Sequence, residues 1–188
     1  MAMPKPKTES RYLKAPKPGQ AITVRFMTDP VEFYEAWKGK NPVRRPATLD
    51  GANFPAGSYD PEDAQGRPQK PRYSMAFGVM HQGAAMVFQI KQRTILDPLY
   101  ALESNKKWGP LPGYDVVITA ADDGKSYTVT PDPKAPLDDN DALVWKATLK
   151  AGFNLAALLT NEDPFGYGAS SRDPILDPDF DADNPIPF

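Results

Sequence analysis

Tyr73-Ser-Met-Ala-Phe-Gly-Val-Met-His-Gln-Gly-Ala-Ala-Met-Val-Phe-Gln-Ile-Lys91 is the stretch whose reading decides the fold. Residues alternate from Tyr73 to Met80, as they do along a strand with one buried face. His81-Gln82-Gly83 then supplies turn residues, and Ala85 to Lys91 returns as a second apolar run. The pair predicts a β-hairpin.

Upstream, Ala21 to Thr28 sets Ile22, Val24 and Phe26 on one face against Thr23, Arg25 and Met27 on the other, a half-buried strand. Val31 to Lys38, after Asp29-Pro30, carries Phe33, Tyr34 and Trp37 and reads as a further strand. Asn41 to Arg72 is dense in Pro, Gly and charge and reads as a long loop, and its arginines point to binding. The first 19 residues set Lys5, Lys7, Arg11, Lys14 and Lys17 among four prolines and read as an extended basic arm.

Downstream, Thr94 to Leu102 places Ile95, Leu99 and Leu102 at helical spacing, with Thr94 as the cap. Tyr114 to Thr119 and Ser126 to Thr130 form a second hairpin around Asp123-Gly124. Ala142 to Leu149 and Asn154 to Leu159 read as short helices broken at Gly152, with Asn154 capping the second. This order of elements is what a five- or six-stranded antiparallel barrel with one helix packed across it would produce. The expected fold class is therefore mainly β, with a barrel domain over residues 20–160 between the arm (1–19) and an acidic tail (161–188).

Cysteine is absent, which excludes disulfides, thiolate metal sites and thiol nucleophiles. No apolar run is long enough to span a bilayer, and the first residues lack the apolar stretch of a signal peptide, so a cytoplasmic protein with no membrane partner is expected. The net charge of −2 conceals a division. Residues 1–93 hold 15 Lys and Arg against 8 Asp and Glu, whereas residues 94–188 hold 7 against 16. That asymmetry predicts a polyanion site in one half and an acidic interaction segment in the other.

A site that grips an unpaired strand needs cations for the phosphates and exposed rings for the bases. Arg25 is expected to face outward. Tyr34 and Trp37 stand beside Lys38, Lys40, Arg44 and Arg45, while Tyr73 and Phe77 share a face of the hairpin with Arg72 before them and Lys91 and Arg93 after. Phe33, Phe77 and Phe88 belong more often to a core than to a stacking platform, and Trp108 is expected in a packed loop. The single histidine, His81, falls in a turn, and no phosphate loop, zinc spacing or nucleotide fingerprint occurs, so no cofactor, no metal and no catalytic residue is expected.

Met86 to Leu137, with its strand, helix, Lys107-Trp108-Gly109, Tyr114-Asp115 strand and closing Tyr127-to-Pro131 strand, resembles the single-stranded-DNA-binding proteins of tailed bacteriophages. With the strand around Arg25, the likeness covers roughly residues 20–137. The terminus Asp179-Phe-Asp-Ala-Asp-Asn-Pro-Ile-Pro-Phe188 resembles the acidic tip of bacterial single-stranded-DNA-binding proteins, with Asn184-Pro185 interrupting the acidic run. The two resemblances imply an OB-type barrel, sequence-tolerant binding of single-stranded DNA in replication, recombination or repair, and self-association on the strand. They further imply docking of a replication or repair protein on Asp179, Asp181, Asp183, Ile186, Pro187 and Phe188.

Two rival classes remain open at this level. Asp122 and Asp123, or Asp138, Asp139 and Asp141, are close enough in sequence to serve a magnesium nuclease. A phage structural or assembly protein without DNA affinity would use the basic arm and the acidic tail to hold neighbouring copies.

Overall fold

The computed structural model describes residues 10–48 and 53–166. It is mainly β, with eight strands in one mixed sheet: β1 (Tyr12–Leu13), β2 (Ala21–Phe26), β3 (Val31–Lys38), β4 (Asn41–Pro46), β5 (Arg72–His81), β6 (Ala84–Ile90), β7 (Asp115–Ala120) and β8 (Tyr127–Pro131). Helix α1 spans Arg93–Glu103 and α2 spans Asp139–Lys150, and short 3₁₀ helices cover Leu111–Gly113 and Leu155–Thr160.

The expected hairpin is β5–β6, in register from Met75↔Ile90 to His81↔Ala84. Gln82 (φ 49°) and Gly83 (φ 78°) both adopt positive φ at its tip, the two-residue turn whose twist matches the strands. On the opposite edge of β5 run β2 and β3, both antiparallel to it. They act as one long bent strand. Between Phe26↔Val79 and Val31↔Ala76, residues 27–30 lie opposite residues 77–78, so two residues bulge out and bend the strand. Gly78 fixes the bend: its carbonyl accepts from Met27 N at 2.9 Å and its N–H donates to Thr28 Oγ1 at 2.9 Å. The outer edge of this bent strand carries β7 along its first half and β4 along its second.

The expected barrel is not what forms. The pairings run β1-β6-β5-β2-β7-β8, and the sheet does not close. The reason lies in its two faces, because each is covered by its own layer. On one face Val24, Phe26, Phe77, Val79, Phe88, Val116 and Ile118 pack with Ile95, Leu96 and Leu99 of α1 and Leu111 of the first 3₁₀ helix. On the other, Phe33, Ala76 and Val87 pack with Leu155, Leu158 and Phe165, while Trp145 of α2 sits over Gly78. A small barrel needs only an apolar interior, whereas here both sides of β5 are buried from Ser74 to Met80.

Two strands lie where none was expected. β4 occupies the start of the supposed long loop, paired with β3 from Phe33↔Pro46 to Lys38↔Asn41 despite its two prolines, which an edge strand tolerates. β1 belongs to the basic arm and pairs in parallel with β6 at Tyr12↔Val87 and Leu13↔Phe88. The chain also stays packed beyond residue 160: Phe165 is buried, with the Arg11 guanidinium 4.7 Å from its ring centroid. The cap of α1 is Gln92 rather than Thr94, and Pro98 falls inside the helix. Asp138 caps α2 and Asn154 caps the last 3₁₀ helix, each accepting from the backbone N–H two residues on. No helix among the described residues is long and apolar enough to cross a membrane.

Candidate nucleic-acid interface

The β3–β4 hairpin and the first half of β5 carry most of the residues expected to meet DNA. Residues paired in register share a face of the sheet, so the pairings sort them. Tyr34 lies between Arg45 on β4 and Tyr73 on β5, and the two tyrosine rings meet edge-on with centroids 5.6 Å apart. Both rings are partly exposed, and this is the face on which the α1 core is built. Lys38 lies on the same face, four residues along β3 from Tyr34. Its ammonium donates to the Gly57 carbonyl at 2.9 Å, tying the hairpin to the loop that follows β4.

Tyr73 also anchors a short relay. Its hydroxyl donates to Glu32 Oε2 at 2.5 Å and lies 2.8 Å from the hydroxyl of Tyr100, which projects from α1. Burial first, then the hydrogen bonds and negative charge of Glu32 with the neighbouring phenol, push the Tyr73 hydroxyl far above its ordinary pKa. It remains a protonated donor at any physiological pH. Glu32 and Tyr100 were not among the expected site residues. The alternation of β3 does set Glu32 and Tyr34 on one face, but nothing local shows that Tyr100 reaches them.

Trp37 is 42% exposed near the hairpin tip. Pro42, opposite it on β4, has no N–H to offer, and the Gln69 side chain bonds the Trp37 N–H and carbonyl where β5 has ended. Asp60 N also donates to the Trp37 carbonyl at 2.9 Å, so residues 53–71 form a docked wall beside β3. Within it Phe54 and Tyr59 stack edge-on at 5.5 Å. Lys40 and Arg72 are exposed, and neither they nor Arg45 make an ion pair among the described residues. Arg93 is exposed, 3.6 Å from Asp97 on its own helix.

Four expected contacts are otherwise engaged. Phe77 is 2% exposed and packs edge-on against Phe26 at 4.8 Å in the core, so it offers no ring to a base. Arg25 does lie opposite Val24 and Phe26, but that face is covered. Its guanidinium is buried against Asp115 at 2.5 Å and donates to the Ala135 carbonyl at 3.1 Å. Arg44 and Lys91 both serve Glu35, a buried carboxylate on β3. Arg44 Nε lies 2.8 Å from it and Arg44 Nη1 donates to the Leu158 carbonyl, while Lys91 Nζ and Gln89 donate to the same carboxylate. Burial pushes the Glu35 carboxyl up, but the bond and charge of Lys91, the bond from Gln89 and the charge of Arg44 outweigh it and hold the pKa below its ordinary value.

His81 accepts a structural role, its Nδ1 2.8 Å from the Thr23 carbonyl. Trp108 packs against Tyr114 at 5.4 Å, as expected of a loop residue over the core. No group of three or more metal-ligating side chains is assembled among the described residues. Asp179, Asp181, Asp183, Ile186, Pro187 and Phe188 lie outside the described residues. No protein-family model matches the chain, and no curated protein or solved structure matches it.

Proposed function

We propose that this protein binds single-stranded DNA, with the β3–β4 hairpin and the adjoining end of β5 as the contact surface. What supports the reading most is the partly exposed Tyr34–Tyr73 pair set beside Arg45, with Lys38 on the same face, Trp37 and Arg72 on the opposite face of these strands, and Lys40 in the turn between β3 and β4. Rings on a rigid sheet give stacking platforms at little ordering cost, and every base has a face to stack, so recognition by them is tolerant of sequence. The contact set is Tyr34, Trp37, Lys38, Lys40, Arg45, Arg72, Tyr73 and Arg93. It omits the core ring of Phe77 and the engaged cations Arg25, Arg44 and Lys91.

In this reading the protein coats single strands during replication, recombination or repair in a host cytoplasm, as a binding protein rather than an enzyme. The acidic terminus recruits a partner through Ile186, Pro187 and Phe188. A titration of labelled oligo-dT against a matched duplex tests the first claim. Preferential binding of the single strand is expected, with log affinity falling by about 0.7 per phosphate contact against log salt. Equal affinities, or no salt response, would overturn it.

A further inference from the structure

Glu32 is an anomaly on a surface read as a polyanion site. Its carboxylate is exposed, carries no ion pair among the described residues, and stands on the same face as Tyr34, two residues along β3. Its hydrogen-bond partner there is the Tyr73 hydroxyl on Oε2, which is itself backed by Tyr100. A carboxylate placed here would only repel a nearby phosphate.

Toward a base the same group is an asset. An ionised carboxylate accepts hydrogen bonds and donates none, and its two oxygens offer about four lone-pair sites, of which Tyr73 takes one. Single-stranded recognition has the Watson–Crick edges of the bases available. Of the four, guanine alone presents two adjacent donors, N1–H and the N2 amino group, at the spacing of two carboxylate oxygens. Thymine offers one N–H flanked by two carbonyls, which the carboxylate repels, while cytosine and adenine offer an amino group beside an acceptor nitrogen.

The space is present as well. A cleft of about 310 Å³ opens beside Glu32, lined also by Pro30, Ala47 and Thr48, and Ala47 N bonds the Glu32 carbonyl at 3.0 Å. That volume lies at the lower end of small-ligand sites, suited to one base rather than to a larger group. We infer that Glu32, fixed by Tyr73, reads guanine at one position of the bound strand, so that a binder otherwise tolerant of sequence carries one guanine-selective subsite. The inference rests on the single-strand reading above and adds a specificity to it.

The test uses the full-length protein and three fluorescent oligonucleotides: a dT tract, the same tract with one central deoxyguanosine, and one with deoxyinosine there, which keeps N1–H but lacks the N2 amino group. The guanine tract should bind about tenfold tighter than plain dT, in the range that one bidentate contact discriminates, with inosine between. Glu32→Gln, which keeps a side-chain oxygen for the Tyr73 hydroxyl to donate to, should bring the affinities for the three tracts together. Equal binding of the three tracts by the wild-type protein, or a guanine preference that survives in Glu32→Gln, overturns the subsite and leaves single-strand binding standing. Failure of every tract to bind removes both.

Discussion

The side-chain amide of Gln69 closes both backbone groups of Trp37, its Oε1 accepting from the Trp37 N–H at 2.6 Å and its Nε2 donating to the Trp37 carbonyl at 3.0 Å. The same Nε2 reaches the Asp60 carbonyl at 2.7 Å. One side chain thus stands in for the strand backbone that β5 no longer provides, and it ties residues 53–71 to the hairpin. Exposed hydrogen bonds of this kind each contribute about 0.5–1.5 kcal/mol. Gln69→Ala should therefore lower the melting temperature slightly, while amide exchange rises selectively at Trp37 and through residues 53–71. Unchanged exchange at Trp37 would show that the hairpin holds itself.

Trp37 itself separates stacking from packing. Because the residue is 42% exposed, Trp37→Ala should leave the melting temperature near that of the wild type. Loss of a stacked base would weaken oligo-dT binding by about 1–3 kcal/mol. A variant that unfolds, or one that binds normally, would take Trp37 out of the contact surface.

Glu35 predicts an acid limit to stability. Its carboxyl titrates below the ordinary carboxylate range in the folded protein, so its ionised form favours folding. That contribution is complete above the unfolded pKa of about 4.3 and is lost as pH falls through the lowered folded value. Denaturant unfolding from pH 7 down to pH 3 should show the wild type losing stability more steeply than Glu35→Gln, which has no proton to gain there. At pH 7 the variant should be the weaker by about 3–5 kcal/mol, since Arg44 would be left buried without its counter-charge. Parallel pH profiles for the two proteins would contradict this account.

Much of this fold is legible in the sequence because its strongest signals are local. The alternation of Tyr73 to Met80 and the Gln82-Gly83 tip give β5 and β6, and the apolar spacing of Ile95 and Leu99 gives α1. What is not legible is long-range. Arg25 has the period of an outward residue, and it is Asp115 on β7 and the Ala135 carbonyl, both far along the chain, that engage it. Arg44 looks like one more loop cation until β4 sets it opposite Glu35. The choice between a closed barrel and an open sheet turns on whether the second face is covered, and the covering pieces, α2 and Leu155 to Phe165, are distant in sequence from the strands they cover. Phe77 shows the same limit, because period 2 assigns it a face but does not say which face α1 will cover.

At Gly78 the layer carrying Trp145 and Phe153 packs directly on the sheet. A Cβ built there would lie 2.7 Å from Trp145 Cη2, 3.0 Å from Thr28 Cγ2 and 3.1 Å from Phe153 Cε1. These are ring and β-branched atoms with little freedom to move. Gly78→Ala should therefore push α2 off the sheet and destabilise the protein by about 1–3 kcal/mol. The indole fluorescence of Trp145 should shift at the same time, and a neutral effect on stability would mean that α2 sits loosely on this face.

The charge of residues 167–188 gives the last prediction. This segment carries five aspartates and one arginine, so its removal moves the formal net charge from −2 to +2. If the β3–β4–β5 surface binds phosphates, those aspartates compete for it at low ionic strength. The truncated protein should then bind oligo-dT more tightly than the full chain in dilute buffer. The gap should narrow as the Debye length contracts from about 30 Å at 0.01 M to about 8 Å at 0.15 M salt. Deleting only Pro185 to Phe188 removes no charged side chain and should leave DNA binding unchanged at every salt concentration. It should instead abolish recruitment of a replication or repair protein, because Ile186 and Phe188 are the apolar groups able to enter a pocket while the aspartates steer toward a basic rim. The two deletions therefore separate a charge effect from a docking effect. Recruitment that survives the short deletion would show that the terminus acts by charge alone.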